Sequence, residues 1–168
     1  STRLETELGR DAYVTQLNRF FEITTDVVNS HEGEVLKFIG DAVLAIFPAS
    51  SGHAAASRHA VESADEIVAK LKDPDLETED IPLDCAIGIA FGEVTYGNVG
   101  SRERLDFTVI GSAANIAARL GEHGKVAGHP VVATADVAAQ SGFQLEDLGA
   151  VELHNVKEPV AACAISVG

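Results

Sequence analysis

The chain has 168 residues, 46% of them hydrophobic and 23% charged, a balance typical of one globular domain with a sizeable core. Its formal net charge of −14 excludes the basic surface that nucleic-acid binding requires. No apolar run reaches the length of a membrane span, and the N-terminal sequence STRLETELGRD does not resemble a signal peptide.

The first half of the chain is predicted to contain two helices separated by a hairpin. Apolar residues recur at helical spacing over 11–30 and indicate an amphipathic helix. The segment EVLKFIGDAVLAIF, residues 34–47, reads as two strands joined by a two-residue Gly-Asp turn. An alanine-rich periodic stretch predicts a second helix over 54–71, and the acidic segment KDPDLETEDIP that follows predicts a loop.

The second half is predicted to contain mostly strands. Two strands are expected on either side of Gly92, and a loop with a short strand in SRERLDFTVIG. Ser112 is expected to cap a helix that runs to about Gly121. A short strand over 130–134, a short helix over 135–140 and terminal strands within 143–167 complete the chain.

The predicted element order is αββαββαβαββ. It favours an α+β fold in which a mixed, mainly antiparallel sheet has helices packed on one face. Residues 1–168 are expected to form one domain, because the sequence shows no internal repeat, low-complexity segment or linker.

Cysteine and histidine usage adds two expectations. Cys85 and Cys163 each lie in an apolar, strand-like run, which is typical of reduced core thiols in a cytoplasmic protein. The six histidines show neither metal-ligand spacing nor pairing with cysteine, so a zinc site is not expected.

Two charged residues interrupt the apolar hairpin of residues 34–47. Asp41 lies in the turn, where aspartate is a common turn former, so a structural role and a functional role both remain open. Strand alternation places Lys37 on the face of Val35 and Ile39. A buried lysine is costly unless it is paired or used, whereas a lysine on an edge strand can extend its ammonium to solvent.

Two further clusters carry chemistry that phosphate binding uses. In TVIGSAANIAARL, Asn115 and Arg119 are four residues apart and share one helical face, which fits either ligand contact or a solvated surface. In GEVTYGNVGSRERLDFT, a glycine-rich strand end lies beside Arg102 and Arg104, and arginine suits multidentate phosphate contacts. The spacing matches neither a P-loop nor a dinucleotide-binding fingerprint, and an ordinary hairpin turn remains the alternative.

Together, GEVLKFIGDAVLAIFP, GEVTYGNVGSRERLDFTVIG and SAANIAARL closely resemble the catalytic domain of class III nucleotidyl cyclases. The resemblance covers nearly the whole chain, from LNRFFEITTDVV to the terminal strands. It implies a ferredoxin-like core and a head-to-tail homodimer with the nucleotide at its interface. The implied reaction converts ATP or GTP to the 3′,5′-cyclic monophosphate and pyrophosphate, with two Mg²⁺ or Mn²⁺ ions between two aspartates and the triphosphate.

The resemblance also implies roles for individual residues. Asp41 matches the second metal-binding aspartate, at the hairpin tip. Lys37 and Thr108 match the two purine-selecting positions, and this pair resembles a bacterial adenylyl cyclase branch, since guanylyl cyclases usually have glutamate and cysteine there. Asn115 matches the residue that orients the ribose, and Arg119 the one that stabilises charge at the α-phosphate.

The triphosphate contacts follow the family pattern less closely. Arg104, or alternatively Arg102, matches a triphosphate-binding position. The family often has a hydrophobic-Lys-Gly motif before its last strand, whereas this chain has His154 at the lysine position and Asn155 at the glycine. Lys157 lies three residues beyond His154.

A first metal-binding aspartate is also implied, on a strand that precedes the first helix. No matching motif occurs in the sequence, and Asp11 and Asp26 on the first helix are not substitutes. We therefore expect the segment that carries it to lie upstream of residue 1.

These observations predict a cytoplasmic adenylyl cyclase catalytic domain that acts as a homodimer on ATP. They leave open whether the domain stands alone or is joined to an upstream or fused regulatory domain. One alternative is a pseudo-cyclase that binds nucleotide or dimerises without turnover. Another is a cyclase that prefers GTP. A diguanylate cyclase is not expected, because the GG[DE]EF signature is absent and the hairpin reads FIGDA.

Overall fold

The structure of the protein is a computed structural model that describes residues 3–72 and 85–167. The described residues contain a short 3-10 helix (Ala49–Ser51), four α-helices and eight strands. The α-helices and strands are labelled in chain order: α1 (Arg3–Ser30), β1 (Glu34–Ile39), β2 (Ala42–Ile46), α2 (His53–Leu71), β3 (Ile87–Ile89), β4 (Thr95–Gly100), β5 (Leu105–Ile110), α3 (Ser112–Ala127), β6 (Val131–Thr134), α4 (Ala135–Ser141), β7 (Leu145–Val151) and β8 (Val160–Ile165). Most of the predicted acidic loop, from residue 73 onward, lies outside the described residues.

The strands form one larger sheet and two hairpins. The larger sheet has the order β3-β6-β8-β7, in which β3 and β6 run parallel and the other neighbours antiparallel. The hairpins β1–β2 and β4–β5 are separate two-stranded antiparallel sheets. The predicted α+β class with a mixed, mainly antiparallel sheet is confirmed. The observed order has one strand more than the predicted string, which left out the short strand predicted in SRERLDFTVIG; this strand is β5, Leu105–Ile110.

Helices cover both faces of the four-stranded sheet, so the prediction of helices on one face is wrong. All four residues of β6 are buried. Val131 and Ala133 pack in a cluster with α2 and α4, whereas Val132 packs on the opposite face against Leu120 of α3. A strand buried on both sides reads as a continuous apolar run, which carries no alternation from which to count covered faces.

The second half of the first helix packs on the core. Val27 and Val28 are buried in a cluster with Ile67 of α2, and Thr24 one turn earlier is buried as well. Val14 belongs to the same predicted stripe but is 54% exposed. The amphipathic helix is therefore confirmed: its apolar stripe is buried at Val27 and Val28 and exposed at Val14.

Helix α3 differs from its prediction at both ends. Ser112 is its first helical residue, the N-cap is Gly111, and no side chain caps the helix. The helix continues through Gly121 to Ala127 and ends at Gly128, which has a left-handed φ of 84°. Gly121 does not end the helix because it packs against the backbone of Gly88 in β3.

The two cysteines are free, as predicted for core thiols. Cys163 is buried in β8, and Cys85 is partly buried beside β3. Burial raises the pKa of the Cys85 thiol to about 11, which keeps it protonated at neutral pH. No helix in the described part of the chain is long and apolar enough to cross a membrane.

A stabilising substitution is expected where α1 ends. Glu32 has a left-handed φ of 64°, and the Gly33 amide donates to the Val28 carbonyl at 2.9 Å, the pattern of a helix C-terminus at which glycine is preferred. Glu32→Gly is expected to raise the free energy of unfolding by about 1 kcal/mol, because glycine removes the steric cost of this conformation. Thermal and urea unfolding measure the change.

Glu32→Ala is the matched control. It removes the same carboxylate, including its 3.5 Å ion-pair contact with His59, but keeps a Cβ at the left-handed position. We expect no stabilisation from it. An equal gain from both variants would contradict the backbone explanation and would point to the carboxylate.

Candidate active site

A bulge in β1 determines where Lys37 points. The pairing register of β1 with β2 shifts between Val35 and Lys37. Val35 packs in the cluster that includes α1, and Phe38 stacks on Phe21 of α1 with ring centroids 4.3 Å apart. Because neighbouring strand residues face opposite sides, Lys37 points away from α1. The expectation that Lys37 shares a face with Val35 is therefore wrong.

The Lys37 ammonium reaches the second hairpin. Its Nζ donates a hydrogen bond of 2.8 Å to the backbone carbonyl of Phe107, 70 residues away in sequence. Phe107 directly precedes Thr108 in β5, so the structure brings the two predicted purine-selecting positions together. An ammonium has three N–H donors, and two of them remain for other acceptors.

The Phe107 carbonyl lies on the open edge of β5. The hairpin loop is closed by mutual backbone hydrogen bonds of Ser101 with Arg104, at 3.0 and 3.2 Å. Residue pairs in an antiparallel hairpin alternate between hydrogen-bonded and non-hydrogen-bonded. Counting from the bonded pair Ser101–Arg104, Asn98 and Phe107 form a non-hydrogen-bonded pair. The polar backbone groups of Phe107 therefore point away from β4, and Lys37 provides a donor for one of them.

Helix α3 presents its polar side chains on one face. Ala113, Leu120 and Gly121 form its buried side, whereas Asn115 is exposed on the first turn. The Arg119 side chain, one turn further on, is only 25% exposed. As predicted from their spacing, Asn115 and Arg119 share a face.

Glu122 lies on the same face and pairs with Arg119. Both of its carboxylate oxygens lie 3.1 Å from Nη1 of Arg119. The Nε of Arg119 is buried and makes no hydrogen bond with any residue that the structure describes. Sequence analysis did not single out Glu122, although its i, i+3 spacing from Arg119 is visible in the sequence.

Asp41 lies at the tip of the β1–β2 hairpin, apart from the residues on β5 and α3. It is exposed and follows Gly40, whose φ of 60° makes the tight turn. Within residues 3–72 and 85–167 no cluster of three His, Cys, Asp or Glu residues could hold a metal ion. Mg²⁺ is commonly held by one or two carboxylates together with substrate phosphates and water, so Asp41 fits as one such ligand.

Arg102 and Arg104 lie in the loop at the tip of the β4–β5 hairpin and are exposed. Thr108 lies four residues into β5, about 13 Å along an extended strand from Arg104. No hydrogen bond or ion pair joins either guanidinium to another side chain of the described residues. The structure thus brings together Lys37 and Thr108, and Asn115 and Arg119, but leaves the two loop arginines apart from them.

The departures near the C-terminus lie in the turn between β7 and β8. His154 and Lys157 are both exposed. Asn155 has a left-handed φ of 58°, a conformation that glycine favours and that asparagine adopts more readily than most residues. The backbone turn expected from a glycine is therefore kept, and the chemical difference is confined to His154.

The sequence-family model for the adenylate and guanylate cyclase catalytic domain matches residues 1–165. An uncharacterized protein of Mycobacterium tuberculosis is 42% identical over 125 residues, which cover 74% of this chain and 21% of that protein. Another uncharacterized protein of the same organism is 38% identical over 164 residues, covering 95% of this chain and 29% of the relative. The chain thus spans less than a third of the length of these relatives.

Solved structures share the fold. A bacterial light-regulated adenylyl cyclase is 30% identical with a TM-score of 0.75, over 92% of this chain and 78% of that one. The guanylyl cyclase Cya2 is 27% identical with a TM-score of 0.77, over 94% of this chain and 82% of that one. Similar structures therefore include cyclases named for each of the two purine nucleotides.

Proposed function

The chain belongs to the adenylate and guanylate cyclase catalytic domain family, and from this premise we propose that it converts ATP to 3′,5′-cyclic AMP and pyrophosphate. The observation that carries the choice of ATP is the 2.8 Å hydrogen bond from Lys37 to the carbonyl that precedes Thr108. It holds the Lys37 ammonium at the backbone of β5 directly before Thr108, and the family resemblance assigns both positions to the base.

The hydrogen-bonding groups of Lys37 and Thr108 suit adenine. Adenine N1 is a hydrogen-bond acceptor that an ammonium N–H can reach, and the hydroxyl of Thr108 can accept from the exocyclic amine. Guanine has an N–H at position 1, which would face the donor of Lys37 without a partner. Two donors that face each other without an acceptor cost free energy, and this cost discriminates against guanine.

The residues on α3 would act on the ribose and the α-phosphate. Asn115 would orient the ribose so that its 3′-oxygen attacks the α-phosphorus in line. The new O3′–P bond forms as the bond from the α-phosphorus to the bridging oxygen breaks, pyrophosphate leaves, and the 3′-hydroxyl proton is released. Arg119 would stabilise the charge that develops at the α-phosphate, and Arg104 or Arg102 would contact the triphosphate.

Asp41 would contribute a carboxylate to the divalent metal site. Mg²⁺ or Mn²⁺, as two ions per site, would neutralise phosphate charge and help to ionise the 3′-hydroxyl. A second carboxylate is expected from the family pattern and is not among the described residues. The chain has 12 Lys and Arg residues against 26 Asp and Glu. Four of these 12 basic residues would face the bound nucleotide: Lys37, Arg102, Arg104 and Arg119.

A head-to-tail homodimer would complete each site. Among the described residues, no hydrogen bond or ion pair joins Asp41 to Thr108, Asn115 or Arg119 of the same chain, so it is proposed to serve the site of the partner copy. Exposed apolar side chains on β1 and the β4–β5 hairpin support an interface there: Phe38, Ile39, Tyr96, Val99 and Leu105. We propose that residues 1–168 form one catalytic domain that acts in the cytoplasm. The greater length of its relatives supports the proposal that regulatory domains are attached to it.

A pseudo-cyclase is the second candidate, and His154 is the observation that favours it. In the family pattern, a lysine at this position contacts the β- and γ-phosphates, and the imidazole of His154 does not supply that ammonium. The deciding measurement is cyclic-nucleotide production from ATP and from GTP with Mn²⁺. Nucleotide binding without turnover, by this chain and by a version extended upstream, would favour the pseudo-cyclase.

Exchanging the base-selecting pair is expected to change nucleotide preference. Lys37→Glu combined with Thr108→Cys places at both positions the residues usual in guanylyl cyclases. We expect the ratio of kcat/KM for ATP to that for GTP to fall by about 10²-fold, since each mismatched hydrogen bond costs about 1–3 kcal/mol. Competition between ATP and GTP, with both cyclic products quantified, measures it.

The control for this exchange is a distant pair of comparable substitutions, Glu22→Lys with Thr15→Cys. Both residues are exposed and lie outside the proposed site. We expect the control to keep the preference for ATP. An unchanged ratio in the Lys37 and Thr108 double variant would show that other residues select the base.

A further inference from the structure

The pairing of Arg119 with Glu122 leaves most of the guanidinium free. A carboxylate that binds arginine in the parallel, bidentate manner occupies two nitrogens and one whole edge. Here Oε1 and Oε2 both lie 3.1 Å from the same nitrogen, Nη1. Glu122 therefore holds one corner of the group and does not occupy the Nε side.

The Nε of Arg119 is buried yet has no hydrogen-bond partner among the residues described. A buried donor on a cation that lacks a partner is costly, and such donors often await a ligand. An oxygen of an anionic substrate is an acceptor that would satisfy it. The guanidinium is thus held at Nη1 and unsatisfied at Nε.

We propose that Glu122 is a positioning residue for Arg119, whose guanidinium it orients toward the α-phosphate. This inference rests on the function proposed above. A helical side chain leans toward the N-terminus of its helix, so Glu122 reaches back to Arg119 from the side opposite to Asn115. The carboxylate thereby holds the guanidinium at Nη1 and leaves the buried Nε without a partner among the described residues.

The role of Glu122 is in orientation and not in stability. The Glu122 side chain is 63% exposed, and ion pairs spaced by three residues on exposed helix faces contribute little to folding. A misplaced catalytic group, in contrast, can lose up to about 10²-fold in rate for a displacement of about 1 Å. Removing Glu122 should therefore affect turnover far more than it affects Tm.

An opposite role is physically reasonable and makes the opposite prediction. If the Glu122 carboxylate competed with the phosphate for Arg119, removing it would increase turnover or affinity for ATP. The geometry favours positioning, because the carboxylate occupies Nη1 alone and leaves Nε without a partner among the described residues.

The experiment measures kcat and KM for ATP with Mn²⁺ in wild type, Glu122→Ala and Glu122→Gln. We expect Glu122→Ala to lower kcat about tenfold with KM within about twofold, because orientation matters most in the transition state. Glu122→Gln should retain at least about half of kcat, since its amide oxygen still accepts from Nη1. The Tm should stay within about 2 °C in both variants.

Glu22→Ala is the matched control, because Glu22 is an exposed glutamate in the middle of α1, away from the site. We expect its kcat and KM to equal those of wild type. An increase in kcat in Glu122→Ala, or no change, would overturn the proposal.

A second measurement decides the inference even if the wild type makes no cyclic nucleotide. The Nε–H signal of Arg119 in a nitrogen-15 NMR spectrum can be assigned as the one absent from Arg119→Lys. We expect slow solvent exchange of this proton in wild type and Glu122→Gln and fast exchange in Glu122→Ala. Equal exchange rates in all three would overturn positioning, whereas an inactive wild type with the expected pattern would refute only the proposed reaction.

Discussion

Mixing the Asp41→Ala and Arg119→Ala variants is expected to restore the cyclic AMP formation that neither variant supports alone. Each single variant should lose about 10³-fold or more in kcat, since an arginine at the transferring phosphate and a metal carboxylate each contribute on that scale. Asp41 is exposed in a turn and Arg119 lies on the polar face of α3, so both variants should fold.

The restored activity follows from the symmetry of a head-to-tail dimer. In a mixed dimer, one site has both lesions and the other has neither, if Asp41 and Arg119 of one site come from different chains. Random mixing at equal amounts should give about a quarter of wild-type activity, because half of the dimers are mixed and each has one intact site of two. A coupled pyrophosphate assay on refolded or co-expressed mixtures measures it.

The control mixes Asn115→Ala with Arg119→Ala. Both residues lie on α3 of the same chain, so every mixed dimer has a lesion in each site and activity should not return. Recovery in this control, or none in the Asp41 mixture, would contradict the proposed division of each site between two chains. If Asp41→Ala and Arg119→Ala each abolish activity and neither mixture recovers it, both residues are still required, but they act within one chain.

Replacing Gly88 by alanine is expected to destabilise the fold severely, although it adds a single methyl group. A Cβ at Gly88 would meet the carbonyl oxygen of Ala117 and lie 2.5 Å from the backbone nitrogen of Gly121. Backbone atoms of a helix cannot move aside as a flexible side chain can, so α3 must shift away from β3. We expect a loss of about 3 kcal/mol or more in the free energy of unfolding.

Activity should fall along with stability in this variant, because α3 carries Asn115 and Arg119. Chemical unfolding and cyclic AMP formation, both measured well below Tm, separate the two effects. Gly97→Ala is the matched control, since Gly97 also lies in a strand but a Cβ there would have no atom of the described residues within 4 Å. Equal stability of the two variants would show that the close approach of β3 to α3 does not constrain this helix.

Local patterns in the sequence were sufficient to predict most helices and strands and to choose the candidate residues. The 3.6-residue period predicted α1 and α2, a cap signal at Ser112 predicted α3, and two apolar runs joined by a Gly-Asp turn predicted the β1–β2 hairpin. These signals depend on neighbours in the chain. The same locality explains two errors in α3. Ser112 and Gly121 look like a cap and a terminator, yet Gly121 lies inside the helix because a strand remote in sequence packs against it.

The family and its candidate residues could also be predicted from the sequence, since motifs such as FIGDA and NIAAR are contiguous. What their side chains contact was decided only by the tertiary structure. The bulge after Val35 turns Lys37 away from α1, and the open edge of β5 supplies the Phe107 carbonyl that it meets. A bulge is an irregularity of pairing between two strands, and a free carbonyl depends on which edge of a hairpin is covered. Both are properties of contacts between distant segments, which the order of residues along one segment does not contain.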